Sequence, residues 1–294
     1  MKIVIPFIIS LSFYLYMRFG IPSIYRNSTD FVEISVLPKR QRLCANKMAK
    51  YYEDHATDWK HFRGEAPGSI FKKYLNSIYS NSEEDIYVVD VGANQGQILE
   101  FFPDVENIFF TMIEPNPVLA ERLQSSNLEN VKIFPIALSN QSGVGMFSKA
   151  DVSENGRLHK HGKFKVNVST LDDISNELPE RIHLLKIDGE GFDVQIIKGG
   201  METISNRVDV LLYECHYLQY AEYNGPGTSV RESVKILNGL GFDVFRAHLI
   251  YKIQMNGPYW DERYDAVKTW TNCFAVHRDT TFRDKILNNY FELC

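Results

Sequence analysis

The 294-residue chain lacks several features that would place it in a simple class. It has four cysteines, and no two of them show the C-x-x-C spacing of a zinc site. It also has no internal repeat and no low-complexity tract. The net charge of −5 gives no general attraction to a nucleic-acid backbone. We therefore expect neither a metal site nor a nucleic-acid partner.

The four cysteines do not define a disulfide framework from their spacing alone. Cys215 and Cys273 lie in apolar runs and are predicted to be small buried hydrophobic residues. A pairing of Cys44 with Cys294 is an alternative that a lumenal location would allow. The sequence leaves the disulfide pairing open.

Long apolar runs are scarce, and the one candidate is at the amino terminus. Ile3 to Met17 is nearly all apolar, which is shorter than the roughly 20 residues of a full membrane span. A signal anchor, a cleaved signal peptide and a buried helix compete as interpretations. Because no small-residue cleavage site stands out, we expect residues 1–26 to be a single-pass anchor in the secretory pathway. Cleavage would instead make the protein secreted.

The rest of the chain divides into two parts. Residues 27–80 are predicted to form a stem and a helical segment. From residue 81 to 294, short apolar strands alternate with amphipathic stretches, which indicates an α/β fold with a doubly wound, mostly parallel sheet. The predicted strands are 86–91, 108–113, 131–135, 182–187, 208–213, 242–246 and 271–277. A further strand pair is predicted at 144–148 and 164–168. The predicted helices include 117–125, 194–204 and 230–240, and another begins at 97–102.

The strongest local motif lies where the first strand meets a glycine turn. Asp90 ends an apolar strand, and Gly92 and Gly96 follow in a turn that opens a helix. Glycine permits the tight turn and the close approach of a ligand. A dinucleotide site usually has the pattern G-x-G-x-x-G, in which a helix faces a pyrophosphate. The missing middle glycine and the Asp90 carboxylate favour a cationic ligand, and therefore S-adenosylmethionine over NAD.

Two further motifs follow the second and third strands. Glu114 ends the second strand, where an acidic residue accepts hydrogen bonds from ribose hydroxyls in doubly wound folds. Asn116 is placed to cap the helix that follows. Ala137 belongs to a stretch after the third strand, beside which an adenine could lie.

Taken together, these residues resemble the FkbM-type methyltransferases, a branch of the class I S-adenosylmethionine-dependent enzymes. The resemblance spans residues 86 to about 250. It rests on 89–96 (VDVGANQG), 113–117 (IEPNP), 137–139 (ALS), 169–174 (STLDDI), 185–191 (LKIDGEG), 198–200 (KGG) and 212–216 (LYECH). It implies a seven-stranded, Rossmann-like sheet with an antiparallel last strand, and methylation of oxygen, often on sugars. Gly189 departs from the family, which often has a larger apolar residue there.

The motifs and the resemblance define an expected cofactor site for S-adenosylmethionine. Its predicted residues are Asp90, Gly92, Asn94, Gly96, Glu114, Asn116 and Ala137.

The acceptor is expected beyond the fourth and fifth strands, because ligands of open α/β sheets bind at the carboxyl ends of strands. Asp188, Glu190 and His216 are the predicted catalytic residues. Asp188 and His216 are each candidates for the base that takes a hydroxyl proton. Lys186 alternates with apolar neighbours and can be explained as a snorkelling side chain. Residues 256–264 are predicted to be a lid over the acceptor.

The resulting hypothesis is a methyltransferase that acts on a hydroxyl of a sugar or another small acceptor. Its expected partners are that small-molecule or glycan acceptor and, through residues 1–26, a membrane. Two alternatives stay open at this point: an NAD-dependent oxidoreductase, and a catalytically silent Rossmann-like domain that binds a partner.

Overall fold

The computed structural model describes the predicted α/β domain and one helix before it. The described residues are 38–58, 70, 73–74, 84–102, 107–126, 128–148, 156–158, 162–215, 229–267, 269 and 271–293. The predicted anchor, residues 1–26, therefore lies outside the described residues. Among the residues that the structure does describe, no helix is both long and apolar enough to cross a membrane.

Twelve strands are present in the described parts of the chain. In chain order they are β1 (Ile86–Val91), β2 (Ile108–Ile113), β3 (Val131–Phe134), β4 (Ala137–Leu138), β5 (Gly143–Phe147), β6 (Phe164–Ser169), β7 (Ile182–Ile187), β8 (Val208–Cys215), β9 (Phe242–Arg246), β10 (Tyr251–Gln254), β11 (Thr271–His277) and β12 (Phe291–Glu292).

Nine of these strands form the main sheet, in the order β12-β10-β9-β11-β8-β7-β1-β2-β3. β7, β1, β2 and β3 pair in parallel, and β8 continues that arrangement. β11 is antiparallel to both of its neighbours. The predicted fold class is confirmed, but the predicted count of seven strands is too low. The two additional strands, β10 and β12, are short and extend the edge beyond β9.

Both faces of the main sheet are covered, which explains why its strands are apolar at nearly every position. Val89 and Leu185 point into one core layer, whereas Val88 and Leu184 point into the other. The sheet is therefore the rigid element that positions the loops at its carboxyl edge.

The longest helix of the described residues, α1 (Lys39–His55), precedes β1. The other described α-helices are shorter: α2 (Pro117–Ser125), α3 (Asp193–Lys198), α4 (Met201–Arg207), α5 (Val230–Gly239), α6 (Arg263–Ala266) and α7 (Arg283–Leu287).

The single helix predicted at 194–204 is two helices, because the chain is interrupted at Gly199 and Gly200. A Cβ at Gly199 would lie 2.1 Å from the backbone oxygen of Ser139, so the chain passes too close for a side chain. The second helix, α4, is capped from a distance: the Asp172 carboxylate accepts hydrogen bonds from the backbone N–H groups of Glu202 and Thr203.

A second sheet of three strands, in the order β4-β6-β5, lies beside the main one. β5 and β6 pair antiparallel over Gly143–Phe147 and Phe164–Ser169, close to the predicted strand pair. Leu158 forms an isolated bridge with Phe147 and so holds the described part of the intervening loop against β5.

α1 packs into the core of the domain that is predicted to begin at residue 81. Met48 and Tyr52 of α1 belong to the same buried cluster as Val89 and Leu185 of the central strands. The predicted lid is also part of this packing: Trp260 is 5% exposed and Tyr264 is fully buried. The predicted lid is therefore packed into the core, under α1.

Cys215 and Cys273 are both buried, and a disulfide joins them across the neighbouring strands β8 and β11. The burial agrees with the sequence-based expectation, whereas the bond corrects the interpretation of the two residues as plain hydrophobic side chains. Their Cα atoms are 5.7 Å apart, which is within the usual span of a disulfide. The alternative partner for Cys44, Cys294, lies outside the described residues.

Candidate cofactor and acceptor site

An open cleft lies at the carboxyl edge of the main sheet, where β1, β2 and β7 end. The empty space in it is about 450 Å³, a figure that includes open solvent at its mouth. Four of the predicted site residues line it, namely Gly92, Glu114, Ala137 and Asp188. The structure thus brings residues from four separate segments of the chain to one cleft.

The turn after β1 begins at Gly92, in a left-handed conformation with φ +76°. The backbone N–H groups of Gly92 and Ala93 both donate to the carbonyl oxygen of Ile113, at 2.9 and 3.2 Å. A Cβ at Gly92 would lie 2.0 Å from the backbone oxygen of Asp188. The absent side chain therefore lets the β1 turn pack directly against the loop after β7.

Glu114 is the most completely fixed carboxylate of the cleft, and it is 4% exposed. Its Oε2 accepts a hydrogen bond of 2.7 Å from the backbone N–H of Asn94, and its Oε1 accepts one of 2.8 Å from that of Asn116. Burial raises the pKa of Glu114, and the two backbone N–H groups oppose that shift. The side-chain oxygen of Asn116 accepts from the N–H of Val118 and so caps α2, as predicted.

Asn94 and Gly96 complete the β1 turn without lining the cleft. Both have positive φ, +50° for Asn94 and +84° for Gly96. The side-chain oxygen of Asn94 is buried, and no described atom donates a hydrogen bond to it. A buried acceptor without a donor is costly for a protein to maintain, so this atom is a candidate contact for a ligand donor.

Asp90 is 1% exposed and lies beneath the turn, outside the cleft lining. It forms an ion pair with Lys186: Oδ1 is 2.9 Å from the lysine Nζ. The sequence interpretation treated Asp90 as an isolated anionic strand end and Lys186 as a snorkelling side chain. The structure corrects both points, because Lys186 points inward and partly neutralises Asp90.

The charged groups around Lys186 strongly influence one another. Burial alone would lower the pKa of Lys186, but the carboxylates of Asp90 and Asp188, with a smaller effect of Glu214, raise it above its ordinary value. Burial raises the pKa of Asp90, and the Lys186 ammonium opposes that shift. The surrounding carboxylates therefore favour the charged form of Lys186.

Asp188 follows β7 and lines the cleft, with 35% of its side chain exposed. Its Oδ2 is 3.4 Å from the Nζ of Lys186, and its backbone N–H donates to the carbonyl of Val91. Glu190 lies two residues further on with φ +52°, a conformation that is uncommon outside glycine. Of the predicted catalytic residues, these two are described.

The end of β8 forms the next part of the same edge. The backbone N–H of Glu214 donates to the Asp193 carboxylate at 3.1 Å, which links β8 to the loop that carries Asp188 and Glu190. Sequence analysis missed Asp193, since an acid in the first turn of a helix is ordinarily explained by capping. His216, the third predicted catalytic residue, lies outside the described residues.

The small sheet contributes an unpredicted wall to the cleft. Phe147, Arg157 and Leu158 line it opposite the ends of β1 and β2. The ring of Phe147 lies against Gly156, where a Cβ would come within 2.7 Å of it. Sequence analysis did not assign these residues to the site, because the basic composition around Arg157 is equally typical of a solvated hairpin.

A resident metal ion has no support in the described part of the chain, where no three His, Cys, Asp or Glu side chains form a group that could hold one.

The model of the methyltransferase FkbM domain family matches residues 90–244, which include Asp90, Glu114, Asp188 and Glu214. The chain belongs to this family. S-adenosylmethionine is accordingly its expected cofactor, in agreement with the prediction. The residues fit that molecule, since Glu114 offers a fixed carboxylate in the cleft and Asn94 a buried acceptor in the turn beside it.

Solved structures similar to this FkbM domain are distant in sequence. A methyltransferase FkbM from Methylobacillus flagellatus is 14% identical with a TM-score of 0.43, over 82% of this chain and 56% of that one. The plantazolicin methyltransferase BamL, in complex with a triazolic desmethylPZN analog and SAH, is 10% identical with a TM-score of 0.40, over 87% of this chain and 96% of that one.

A precorrin-6y C5,15-methyltransferase from Geobacter metallireducens is 13% identical with a TM-score of 0.37, over 71% of this chain and 87% of that one. With 56% coverage, the match spans little more than half the length of the Methylobacillus structure described above. No curated protein matches the chain.

Proposed function

We propose that this FkbM domain transfers a methyl group from S-adenosylmethionine to a hydroxyl oxygen of a sugar or another small acceptor. The observation that carries the proposal is the fixed carboxylate of Glu114, in the same cleft that Asp188 lines. One carboxylate suits the ribose of the cofactor, and the other is available to an acceptor hydroxyl.

Glu114 binds the ribose hydroxyls in this proposal. Each of its oxygens already accepts one backbone N–H, so the carboxylate is held in one orientation and keeps further acceptor capacity. Asn94 and the Gly92 turn lie next to it. The Asn94 side-chain oxygen accepts from the ammonium group of the cofactor, and Ala137 lies beside the adenine.

Asp90 acts from beneath the turn. Its carboxylate is buried and cannot contact a large ligand, so its effect on a cationic cofactor is electrostatic. Such an effect is strong where water is excluded, because the local dielectric is low. A buried acid at this strand end therefore favours a sulfonium over a diphosphate through its field and not through direct contact.

Asp188, Glu190 and His216 act on the acceptor. S-adenosylmethionine supplies an activated methyl group on its sulfonium, so the protein mainly has to align the nucleophile and remove its proton. Asp188 accepts a hydrogen bond from the acceptor hydroxyl and orients it. His216 is the stronger candidate for the base, because neutral imidazole is available near pH 7. Glu190 supports Asp188 or caps the helix that follows.

The test is transfer of radiolabelled methyl from S-adenosylmethionine to a panel of glycans, lipids and small phenols. We expect one acceptor class to be labelled on oxygen by the full chain, and Asp188→Asn to reduce kcat at least about tenfold. Asp279→Asn, an exposed acid outside the cleft, is the matched control and should retain activity.

The labelling screen, combined with measurements of binding to S-adenosylmethionine and NAD, separates the alternatives. Labelling on nitrogen or carbon would contradict oxygen as the acceptor atom. A chain that binds S-adenosylmethionine tightly and labels nothing would favour the silent binding domain. A chain that ignores S-adenosylmethionine and binds NAD would be an oxidoreductase.

We also propose that residues 1–26 anchor the protein in a membrane of the secretory pathway. The support is the apolar run Ile3 to Met17, together with the observation that no small-residue cleavage site stands out in the sequence. Alkaline carbonate extraction should leave the full chain in the membrane pellet and release a chain that begins at Asn27. Release of both would contradict the anchor, and secretion of the full chain would indicate cleavage.

A further inference from the structure

Lys186 lies between the turn after β1, where the cofactor is proposed to bind, and Asp188, which is proposed to contact the acceptor. It is the fifth residue of β7 and lies beside Asp90 of β1 in the strand register. Its Nζ is 2.9 Å from Asp90 Oδ1, 3.4 Å from Asp188 Oδ2 and 3.4 Å from the carbonyl oxygen of Gly92. Asp90 Oδ1 and the Gly92 carbonyl oxygen each accept a hydrogen bond from the ammonium, and Asp188 forms an ion pair with it.

This geometry differs from that of a snorkelling lysine, whose ammonium points to water. Only 20% of the Lys186 side chain is exposed. Its three partners lie in β1, in the turn after β1 and in the loop after β7. The other charged groups that face it are Glu214 on β8 and, through its influence on the same carboxylates, Glu114 at the end of β2. One cation thus stands among four acids.

We propose that Lys186 is a positioning residue for methyl transfer, which keeps Asp90 ionised beneath the glycine turn and holds Asp188 at the mouth of the cleft. The inference rests on the proposed function and extends it. A single ammonium joins the carboxylate that favours the cationic cofactor to the carboxylate that orients the acceptor. The Gly92 carbonyl oxygen accepts a hydrogen bond from the same ammonium, so Lys186 also holds the turn after β1.

A consequence of this role is a specific dependence of cofactor binding on pH. Without Lys186, Asp90 would be buried with no counter-ion, and its pKa would rise above the already raised value of the native protein. Its negative charge would then be present only at higher pH. The affinity for S-adenosylmethionine should therefore fall most near neutral and acidic pH.

The experiment compares Lys186→Met with Lys186→Arg in the full chain, by calorimetric titration of S-adenosylmethionine between about pH 6 and pH 9. We expect Lys186→Met to bind about tenfold or more weakly at pH 6, and to regain much of the loss at pH 9. Lys186→Arg keeps the charge and should retain the native pH profile. Lys132→Met, which changes a lysine outside the cleft on the edge strand β3, is the control.

A second variant guards against simple misfolding. In the double variant Asp90→Asn with Lys186→Met, both buried charges are removed, so its melting temperature should exceed that of Lys186→Met. Its affinity for S-adenosylmethionine should stay low and show no recovery at high pH.

Three results would overturn the role of Lys186. These are a Lys186→Met variant with the native pH profile, a Lys186→Arg variant as impaired as Lys186→Met, and a double variant that binds as the native chain does. A native chain that binds no S-adenosylmethionine would instead overturn the proposed function, so the two failures are distinguishable.

Discussion

The backbone N–H of Asn94 donates a hydrogen bond of 2.7 Å to Oε2 of Glu114, 20 residues further along the chain. This bond joins the glycine turn after β1 to the acid that ends β2. The turn and the acid therefore form one rigid unit, held from below by the parallel pairing of β1 with β2. A ligand that binds one of them meets the other in a fixed position.

Glu114→Gln should weaken S-adenosylmethionine binding by about tenfold to a hundredfold, the cost of losing a charged hydrogen-bond acceptor. The Asn94 and Asn116 N–H groups would then compete for a neutral amide that has only one acceptor oxygen. Equilibrium dialysis with labelled cofactor measures the change. Glu129→Gln, at an exposed position, is the control, and equal affinity of the two variants would show that Glu114 does not contact the cofactor.

Gly92→Ala should destabilise the protein by about 3 kcal/mol or more, because a left-handed alanine is strained and its Cβ would overlap the Asp188 backbone oxygen. Gly257→Ala is a matched control. Gly257 also has positive φ, +59°, but no described atom lies within 4 Å of a Cβ there.

The control variant should therefore lose only about 1 kcal/mol of unfolding free energy, the cost of the backbone conformation alone. Urea denaturation of the three proteins gives the comparison. Equal losses in the two variants would mean that the turn after β1 does not pack against the Asp188 loop as described.

Binding of S-adenosylmethionine should release protons on the acid side of neutrality. Burial raises the pKa of Asp90 and of Glu114, and a cationic ligand favours their ionised forms, so proton release on binding should increase as the pH falls toward these raised pKa values. The same two raised pKa values also make the free energy of unfolding of the unliganded protein depend on pH. A raised pKa stabilises the unliganded fold while the group is protonated, and that contribution is lost as the pH rises through the folded-state pKa.

Titrations at about pH 6 in two buffers of different ionisation enthalpy measure the released protons directly. More protons should be released at pH 6 than at pH 8, and fewer in Glu114→Gln than in the native chain. Binding enthalpies that do not depend on the buffer at either pH would contradict the raised pKa values.

The disulfide between Cys215 and Cys273 should contribute about 2–4 kcal/mol to the free energy of unfolding. It closes a sequence separation of 58 residues and connects β8, which carries Glu214, to β11. The double variant Cys215→Ala with Cys273→Ala should unfold at a lower denaturant concentration, and its free energy of unfolding should be smaller by that amount. Peptide mapping of the unreduced chain should yield the linked pair, and recovery of Cys215 as an alkylated thiol would count against the bond.

Sequence analysis predicted the fold class and the family because those depend on local patterns. A short apolar stretch followed by an acid predicts the end of a buried strand, as at 88–90 and 112–114. Asn116 was likewise predicted as a cap and caps α2 through Val118. The extra strands β10 and β12 were missed, since each is too short to show a periodic pattern.

The contacts between strands could not be predicted in this way. Lys186 lies 96 residues from Asp90, and only the order of β1 and β7 in the sheet makes them neighbours. The same is true of Asp172, which caps α4 from 30 residues away, and of Asp193, which holds the end of β8. Each of these residues has an ordinary local explanation, so no sequence signal set it apart.

The central claim is that this cleft binds a cationic nucleoside donor, and calorimetric titration of the full chain with S-adenosylmethionine tests it most directly, with NAD as the comparison ligand. We expect one molecule of S-adenosylmethionine to bind per chain, with binding weakened in Glu114→Gln and in Lys186→Met, and no heat of binding from NAD. Binding of NAD in preference to S-adenosylmethionine, or affinity for S-adenosylmethionine that neither substitution changes, would contradict the account.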